Sequence, residues 1–342
     1  MRSTTTIDTD LIDMMSAVFT RHREDHEPPM GTVRWDSALW ERLRELGLVR
    51  LTGSEESGGS GAGWFEAAEL IRAAAGNGVR VPVAEDDLLA GWLLETAGLP
   101  SEGVRRTVAV LDAAGCAAGV PWARDAERIV TVWHNGSTHC VADVEVDAFS
   151  ITPGANLAEE PRDTVRIDTA SLAGVAVDDA IVDQLFLRGA LVRALQTCAV
   201  LDRILALSVA HTMDRTQFGR PLAKFQAVQN LVADIAAESA LARAATEAAL
   251  SAAVRTRWTG EGLELSIAVA RSCVGHAASV VVRNAHQVHG AMGTTREHRL
   301  HEFTRPALAW RSEFGSVQYW DETVTNAALA AGRNGLWMLL TG

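Results

Sequence analysis

The chain has 342 residues, 48% of them hydrophobic, and a formal net charge of −12 at pH 7. That is enough apolar material for one large domain or two to three smaller ones. The acidic balance excludes a phosphate-tracking nucleic-acid surface and docking on an anionic membrane. The four cysteines, Cys116, Cys140, Cys198 and Cys273, form no CxxC pair, which argues for reduced thiols rather than a disulfide framework or a zinc centre. The opening MRSTTTIDTD lacks the apolar core of a secretory leader. No uncharged run reaches the roughly 18 residues of a membrane span, so the expected location is cytoplasmic.

Residues 1–104 read as helical. Leu39, Leu43, Leu46 and Leu48 follow Asp36-Ser37 at near-helical spacing, and Gly47 closes that helix. A glycine- and serine-rich turn at residues 53–61 leads to a second helix over 64–75 and a third over 86–97, ended by Gly98 and Pro100. Residues 105–178 change style. Residues 128–133 are β-branched, Asn135-Gly136 is a hairpin turn, and residues 139–146 return as the partner strand. Further short strands are expected at 149–152 and 164–167, which together suggest a small antiparallel barrel or sandwich. Residues 179–342 carry long helical runs at 191–213, 225–253 and 263–289, rich in Ala and Leu. Runs of that length joined by short links imply a bundle that packs over large areas, an oligomer interface among them. Trp310, Trp320 and Trp337 in the last segment are expected to be covered.

Two segments carry chemistry. The first is Arg215-Thr216-Gln217-Phe218-Gly219-Arg220-Pro221-Leu222, followed by Phe225-Gln226 and Gln229. Arg215 can grip a dinucleotide diphosphate through its guanidinium fork, Gly219 permits a sharp turn, and Phe218 offers an apolar face. The second is Gln287-Val288-His289-Gly290-Ala291-Met292-Gly293, where Gln287 can hydrogen-bond and the small residues Gly290 and Ala291 let backbone approach phosphate. The plainer alternative is that Phe218 and Gly219 make a helix–helix turn while Arg215 pairs with a neighbouring acid. His286 and His289, and His298 and His301, are spaced three apart, but no acid or cysteine completes a metal set, and no metal is expected. Glu55-Glu56 sits in the glycine-rich turn and reads as solvated. There is no G-x-G-x-x-G fingerprint, phosphate-binding P-loop or Ser-His-Asp pattern.

The first segment resembles the R-x-Q-F-G-x-P-L-x-x-F-Q-x-x-Q signature of acyl-CoA dehydrogenases, and the second their Q-x-x-G-G-x-G segment. The run from Leu39 to Gly63 is similar to the family's L-G-L … P-E-E-x-G-G-x-G. The resemblance implies an acyl-CoA dehydrogenase-like fold, with an α-helical N-terminal domain, a small antiparallel β-barrel middle domain and a C-terminal four-helix-type bundle. It implies FAD, α,β-desaturation of an acyl-CoA thioester, and an electron-transfer flavoprotein or similar acceptor. In the family both motifs reach across a dimer interface to hold the ADP half of an FAD whose flavin sits in the neighbouring subunit. That role falls here on Arg215, Gln217, Phe218, Gln287, Gly290 and Ala291.

Two features depart from the family pattern. Residues 108–116, VAVLDAAGC, stand where the family carries the flavin-cradling T-E-P-x-x-G-S-D loop, and no W-I-T-N-like strand follows. The carboxylate base that removes the substrate α-proton is also displaced. Counting from Gln287 without gaps puts its position at Phe314, one residue past Glu313, and the other family position falls on Gly189. Glu313, Glu297 or no residue of this chain is left for the role. Loss of both features, with the motifs that serve a neighbour's FAD retained, resembles the shorter subunit of the α2β2 acyl-CoA dehydrogenases of bacterial sterol side-chain degradation. A self-sufficient homo-oligomeric dehydrogenase and a non-redox CoA-thioester binder of the same fold are the competing readings.

Overall fold

The computed structural model describes residues 7–26, 31–101, 103–260 and 262–341. The leader reading rests partly on residues 1–6, which lie outside the described residues. The chain divides into two compact units, residues 1–189 and 190–342.

The first unit begins with helices α1 (Thr9–Asp25), α2 (Ser37–Glu45) and α3 (Trp64–Gly76). Asp36 caps α2, its Oδ1 accepting from Leu39 N at 2.9 Å. The helix ends as the sequence implies. Gly47 takes φ +70°, and Leu48 N reaches back to Leu43 O at 2.9 Å, so the last carbonyls are satisfied by a left-handed residue. Met15 and Phe19 of α1 are buried, and α1 packs on α3. The expected helix over 86–97 differs. A π-helix occupies Ala84–Gly91, and only Trp92–Thr96 continues as an α-helix, α4. The wider turn coincides with an inward-facing acidic trio: Glu85, Asp86 and Asp87 are all buried. Asp86 Oδ1 accepts from Arg106 N at 2.5 Å and Asp87 Oδ2 from Thr52 N at 2.9 Å. Arg188 lies beside them, its guanidinium carbon 3.9 Å from the Trp92 ring centroid and 5.4 Å from that of Trp64.

The β region is not a closed antiparallel barrel. One sheet runs β1 (Arg106–Val110), β3 (Arg128–His134), β4 (His139–Glu145), β7 (Val175–Val177), and the other β2 (Cys116–Pro121), β6 (Arg162–Arg166), β5 (Ser150–Thr152). The chain leaves the first sheet after β1, lays β2 in the second, and returns as β3, so β1 and β3 pair parallel. With β5 and β7 only three residues long, the edges are too short to meet, and the two sheets share an apolar core that includes Ile129, Trp133, Phe149 and Val165. The β3–β4 connection is a four-residue loop, residues 135–138, rather than a two-residue turn. His134 pairs with His139, and Asn135 Oδ1 accepts from the N–H groups of Ser137 and Thr138, each at 3.1 Å.

The second unit is helical. It takes the end of α5 (Asp179–Asp214), then α6 (Gln226–Thr256), α7 (Leu263–His289), α8 (His301–Trp310) and α9 (Val317–Thr341), the last broken at Gly332. On α6 the buried residues Ile235, Ser239, Ala242, Thr246, Ala249 and Ala253 recur four and three apart, a stripe of mostly small side chains that lets α6 lie close to α7. The stretch Leu263–Thr294 is long and apolar enough to cross a membrane by length and composition, but 56% of its most apolar window is buried inside the protein. It packs against α6, α8 and α9. Trp310 and Trp320 are buried as expected. Trp337 is not: it is 72% exposed, on the segment of α9 that follows the Gly332 break.

Candidate cofactor-binding site

The first motif makes a miniature hairpin at the end of α5. Strands β8 (Thr216–Gln217) and β9 (Arg220–Pro221) pair with Thr216 opposite Pro221 and Gln217 opposite Arg220, so Phe218-Gly219 is a two-residue loop. Both loop residues have positive φ, +49° and +76°, which is the type I′ geometry that matches the strand twist. Glycine adopts it freely; for phenylalanine the left-handed region costs roughly 1–2 kcal/mol. The Phe218 side chain gets little burial in return, being 90% exposed. The Arg220 guanidinium stacks 4.2 Å from the Phe225 ring centroid, and Gln229 Nε2 donates to Ala223 O at 2.8 Å, so these motif members brace the hairpin from within. Arg215 and Gln217 are exposed, and neither side chain has a hydrogen bond or ion pair among the described residues. The alternative that Arg215 is tied to a neighbouring acid thus finds no support.

The second motif ends α7. Gln287 is exposed in the last turn, likewise without a side-chain hydrogen bond among the described residues. Gly290 has φ +58°, ψ −143°, a region that is essentially glycine-only, and a Cβ placed there would meet nothing within 4 Å. Backbone conformation rather than crowding therefore demands glycine, and the space beside it is open. Ala291 follows, also exposed. His211 on α5 and His289 at the end of α7 stack with ring centroids 4.4 Å apart and 27° between planes, which brings the two motif-bearing helix ends together. His298, in the loop before α8, lies edge-on to His289 at 4.7 Å. Neither three-apart histidine pair of the sequence forms a cluster of its own. The grouping of His211, His289 and His298 was not legible, because its members come from three elements that only the fold brings together.

The two base candidates sit differently. Glu297 is exposed in the loop between α7 and α8. Glu313 follows α8, and its Oε2 accepts from Arg193 Nε at 2.7 Å; the Arg193 side chain is 1% exposed. Its main-chain carbonyl accepts from Arg271 Nη2 at 2.7 Å, and the same Nη2 reaches the carbonyls of Trp310, Arg311 and Gly315. Arg271 thus caps the C-terminal end of α8, and burial with Arg193 nearby pushes its guanidinium down to about 9. Glu313 is the counter-charge for two buried arginines. Phe314 and Gly315 then turn with φ +50° and +93°.

Where the family holds its flavin, the structure has a closed turn. Residues 111–115 link β1 directly to β2, with Ala114 N and Cys116 N both donating to Asp112 Oδ1 at 2.9 Å. Gly115 N donates to Asp112 O at 3.0 Å, and a Cβ on Gly115 would sit 2.1 Å from Ile167 O. The one polar side chain of the turn is consumed internally. A cavity of about 710 Å³ at the other end of β1 is bordered by Leu99, Pro100, Val175 and the Arg106–Asp143–Arg128 group. There Asp143 Oδ2 takes both guanidinium groups, from Arg106 Nη2 at 3.0 Å and Arg128 Nε at 2.8 Å. The motif side chains Arg215, Gln217, Phe218 and Gln287 are thus exposed, whereas the β1–β2 turn spends its one polar side chain internally.

Residues 180–329 match the model of the acyl-CoA dehydrogenase C-terminal domain. The chain is 28% identical over 285 residues to the acyl-CoA dehydrogenase IpdE2 of Mycolicibacterium smegmatis, covering 80% of this chain and 82% of that protein. Its fold is similar to a chain of the ChsE4–ChsE5 complex from Mycobacterium tuberculosis, with TM-score 0.82 and 21% identity over 96% of this chain and 99% of that one. The steroid acyl-CoA dehydrogenase Tcur3481–Tcur3483 gives TM-score 0.80 at 20% identity, covering 95% of this chain and 98% of that one. The bundle over residues 180–329 thus matches an acyl-CoA dehydrogenase C-terminal domain, and over most of its length the chain is similar to proteins described as acyl-CoA dehydrogenases.

Proposed function

We propose that this chain is a subunit of a heteromeric, FAD-dependent acyl-CoA dehydrogenase, in which it completes the cofactor site of a partner chain. The observation that carries the reading is the contrast between its two units. The hairpin and the end of α7 present Arg215, Gln217, Phe218 and Gln287 outward, the three polar side chains without a hydrogen bond or ion pair among the described residues, beside the open backbone at Gly290 and Ala291. The β1–β2 turn that would cradle the ring is closed on itself. Likeness to chains of the ChsE4–ChsE5 and Tcur3481–Tcur3483 assemblies supports a two-chain arrangement.

In this reading bound FAD supplies the hydride acceptor, and every other contribution of this chain is positional. Arg215 neutralises diphosphate charge through a bidentate fork. Gln217 and Gln287 orient the adenosine half by hydrogen bonding, and Phe218 shields it from water. Gly290 and Ala291 let main chain approach the phosphates. No base is assigned here, since Glu313 is held by Arg193 and Glu297 stands in an exposed loop. The partner would supply the carboxylate for the α-proton of a thioester, and an electron-transfer flavoprotein or similar acceptor would be the electron partner. A steroid-derived acyl chain is the substrate class suggested by the likeness to the steroid enzyme Tcur3481–Tcur3483, and the cytoplasm is the proposed location.

Co-purification with an acyl-CoA dehydrogenase-like partner encoded beside it tests the assignment. Arg215→Ala in this chain is expected to lower the flavin content of the pair at least tenfold while the two chains still co-elute. Full flavin occupancy in that variant would contradict the role given to Arg215.

A further inference from the structure

His211, His289 and His298 form a compact imidazole cluster that the proposed function does not use. One ligating nitrogen from each lies within 4.8 Å of the others. His289 is the inner member, only 4% exposed. Its Nδ1 lies 2.8 Å from Ala285 O, so the ring proton sits on Nδ1 and is donated to that carbonyl. The lone pair is then on Nε2, which is buried and has no hydrogen-bond partner. An N–H held by a main-chain carbonyl, with the opposite nitrogen turned into a cluster of imidazoles, is the outer-shell arrangement that orients metal-bound histidines. A buried acceptor left unpaired is costly unless something fills it. His211 has no hydrogen bond from its ring among the described residues, and it is half-buried, as is His298. The cluster is therefore closed on the His289 side and reachable from solvent on the other, which gives an ion a route of entry.

We infer that His211, His289 and His298 bind a single divalent transition-metal ion of the zinc class, with the fourth position open to water or an anionic oxygen.

Imidazole nitrogen suits Zn²⁺, Co²⁺ and Ni²⁺, and three protein ligands plus one open position is a common zinc arrangement. Metal–nitrogen bonds of about 2.0–2.1 Å in a tetrahedron put the ligand atoms roughly 3.3 Å apart, so rings within 4.8 Å need only to rotate and close slightly. The present stack of His211 on His289 must open by such a rotation. His298 must give up one bond, since its Nδ1 now accepts from Leu300 N at 3.1 Å. Burial pushes all three rings below the ordinary histidine range. Asp214 and Arg215 flank His211 with opposite charges.

The test uses full-length protein without a polyhistidine tag, in complex with its partner if the chain is isolated that way. Zinc uptake is measured by calorimetry, and cobalt by its visible ligand-field absorption. The wild type is expected to take up one equivalent of either ion, with an intense tetrahedral cobalt band. His298→Ala and His211→Gln, both at half-buried positions, should each weaken zinc at least tenfold and abolish the band. His276→Ala, an exposed residue elsewhere on α7, should change neither. Absence of stoichiometric uptake, or uptake untouched by His298→Ala and His211→Gln, overturns the inference and leaves the cluster as packed neutral imidazoles.

Discussion

At the scale of single residues, two side chains stand out, one that local physics opposes and one that the fold holds. Phe218 holds a left-handed backbone with a 90% exposed ring. Asparagine suits that position better, so Phe218→Asn is expected to raise the melting temperature by about 1–2 °C, the equivalent of roughly 1 kcal/mol in a chain of this size. It should simultaneously reduce flavin retention in the complex. A variant that loses stability, or keeps all its flavin, would show that the ring packs for structural reasons. Glu313 is the opposite case, a carboxylate committed to the fold. Glu313→Gln leaves Arg193 without its counter-charge and should cost about 3 kcal/mol, read as a fall in the denaturation midpoint. Turnover per folded complex should be kept. Loss of turnover at unchanged stability would make Glu313 the base after all. The sequence offered Glu313 as a base candidate and gave no sign of its partner, because Arg193 lies 120 positions away and nothing local links the two.

At the scale of elements, legibility followed periodicity. The bundle helices α6 and α7 were readable because their apolar residues recur at helical spacing over many turns. The end of α2 was readable from Asp36 and Gly47, whose cap geometries are local. The β region was readable as short strands in a barrel or sandwich, but the parallel β1–β3 pairing was not, since it is set by a crossover through β2 that leaves no local trace. The π-helix at Ala84–Gly91 was hidden for a similar reason: its buried acids look like a solvated helix start until Arg106 and Thr52 are seen to bind them. Burial pushes Asp86 up to about 7 and Asp87 up to about 6. Both folded values lie above the unfolded one near 3.8, so the unfolded chain loses these protons first as pH rises. Their contribution to stability is intact below about pH 4 and declines until pH passes about 7. Asp87→Asn removes one of these titrations, so the stability of the variant relative to wild type should climb between pH 5 and pH 7.5. A pH-independent difference would mean that Asp87 is ionised in the folded protein throughout.

At the scale of the whole molecule, the question is which half of a cofactor site this chain supplies. The motifs around Arg215 and Gln287 were legible because they are long and carry unusual residue types. Their conformations were not: the type I′ turn at Phe218-Gly219 and the glycine-only backbone at Gly290 appear only in three dimensions. The departure at residues 108–116 reads in the sequence as an absent loop, and in the structure residues 111–115 form a five-residue turn whose single carboxylate accepts from Ala114 N and Cys116 N. The most direct measurement is the visible absorbance spectrum of the purified chain, taken alone and again after co-purification with its partner. A flavin spectrum in the pair and none in the isolated chain is the expected result. A flavin spectrum from this chain by itself would contradict the account.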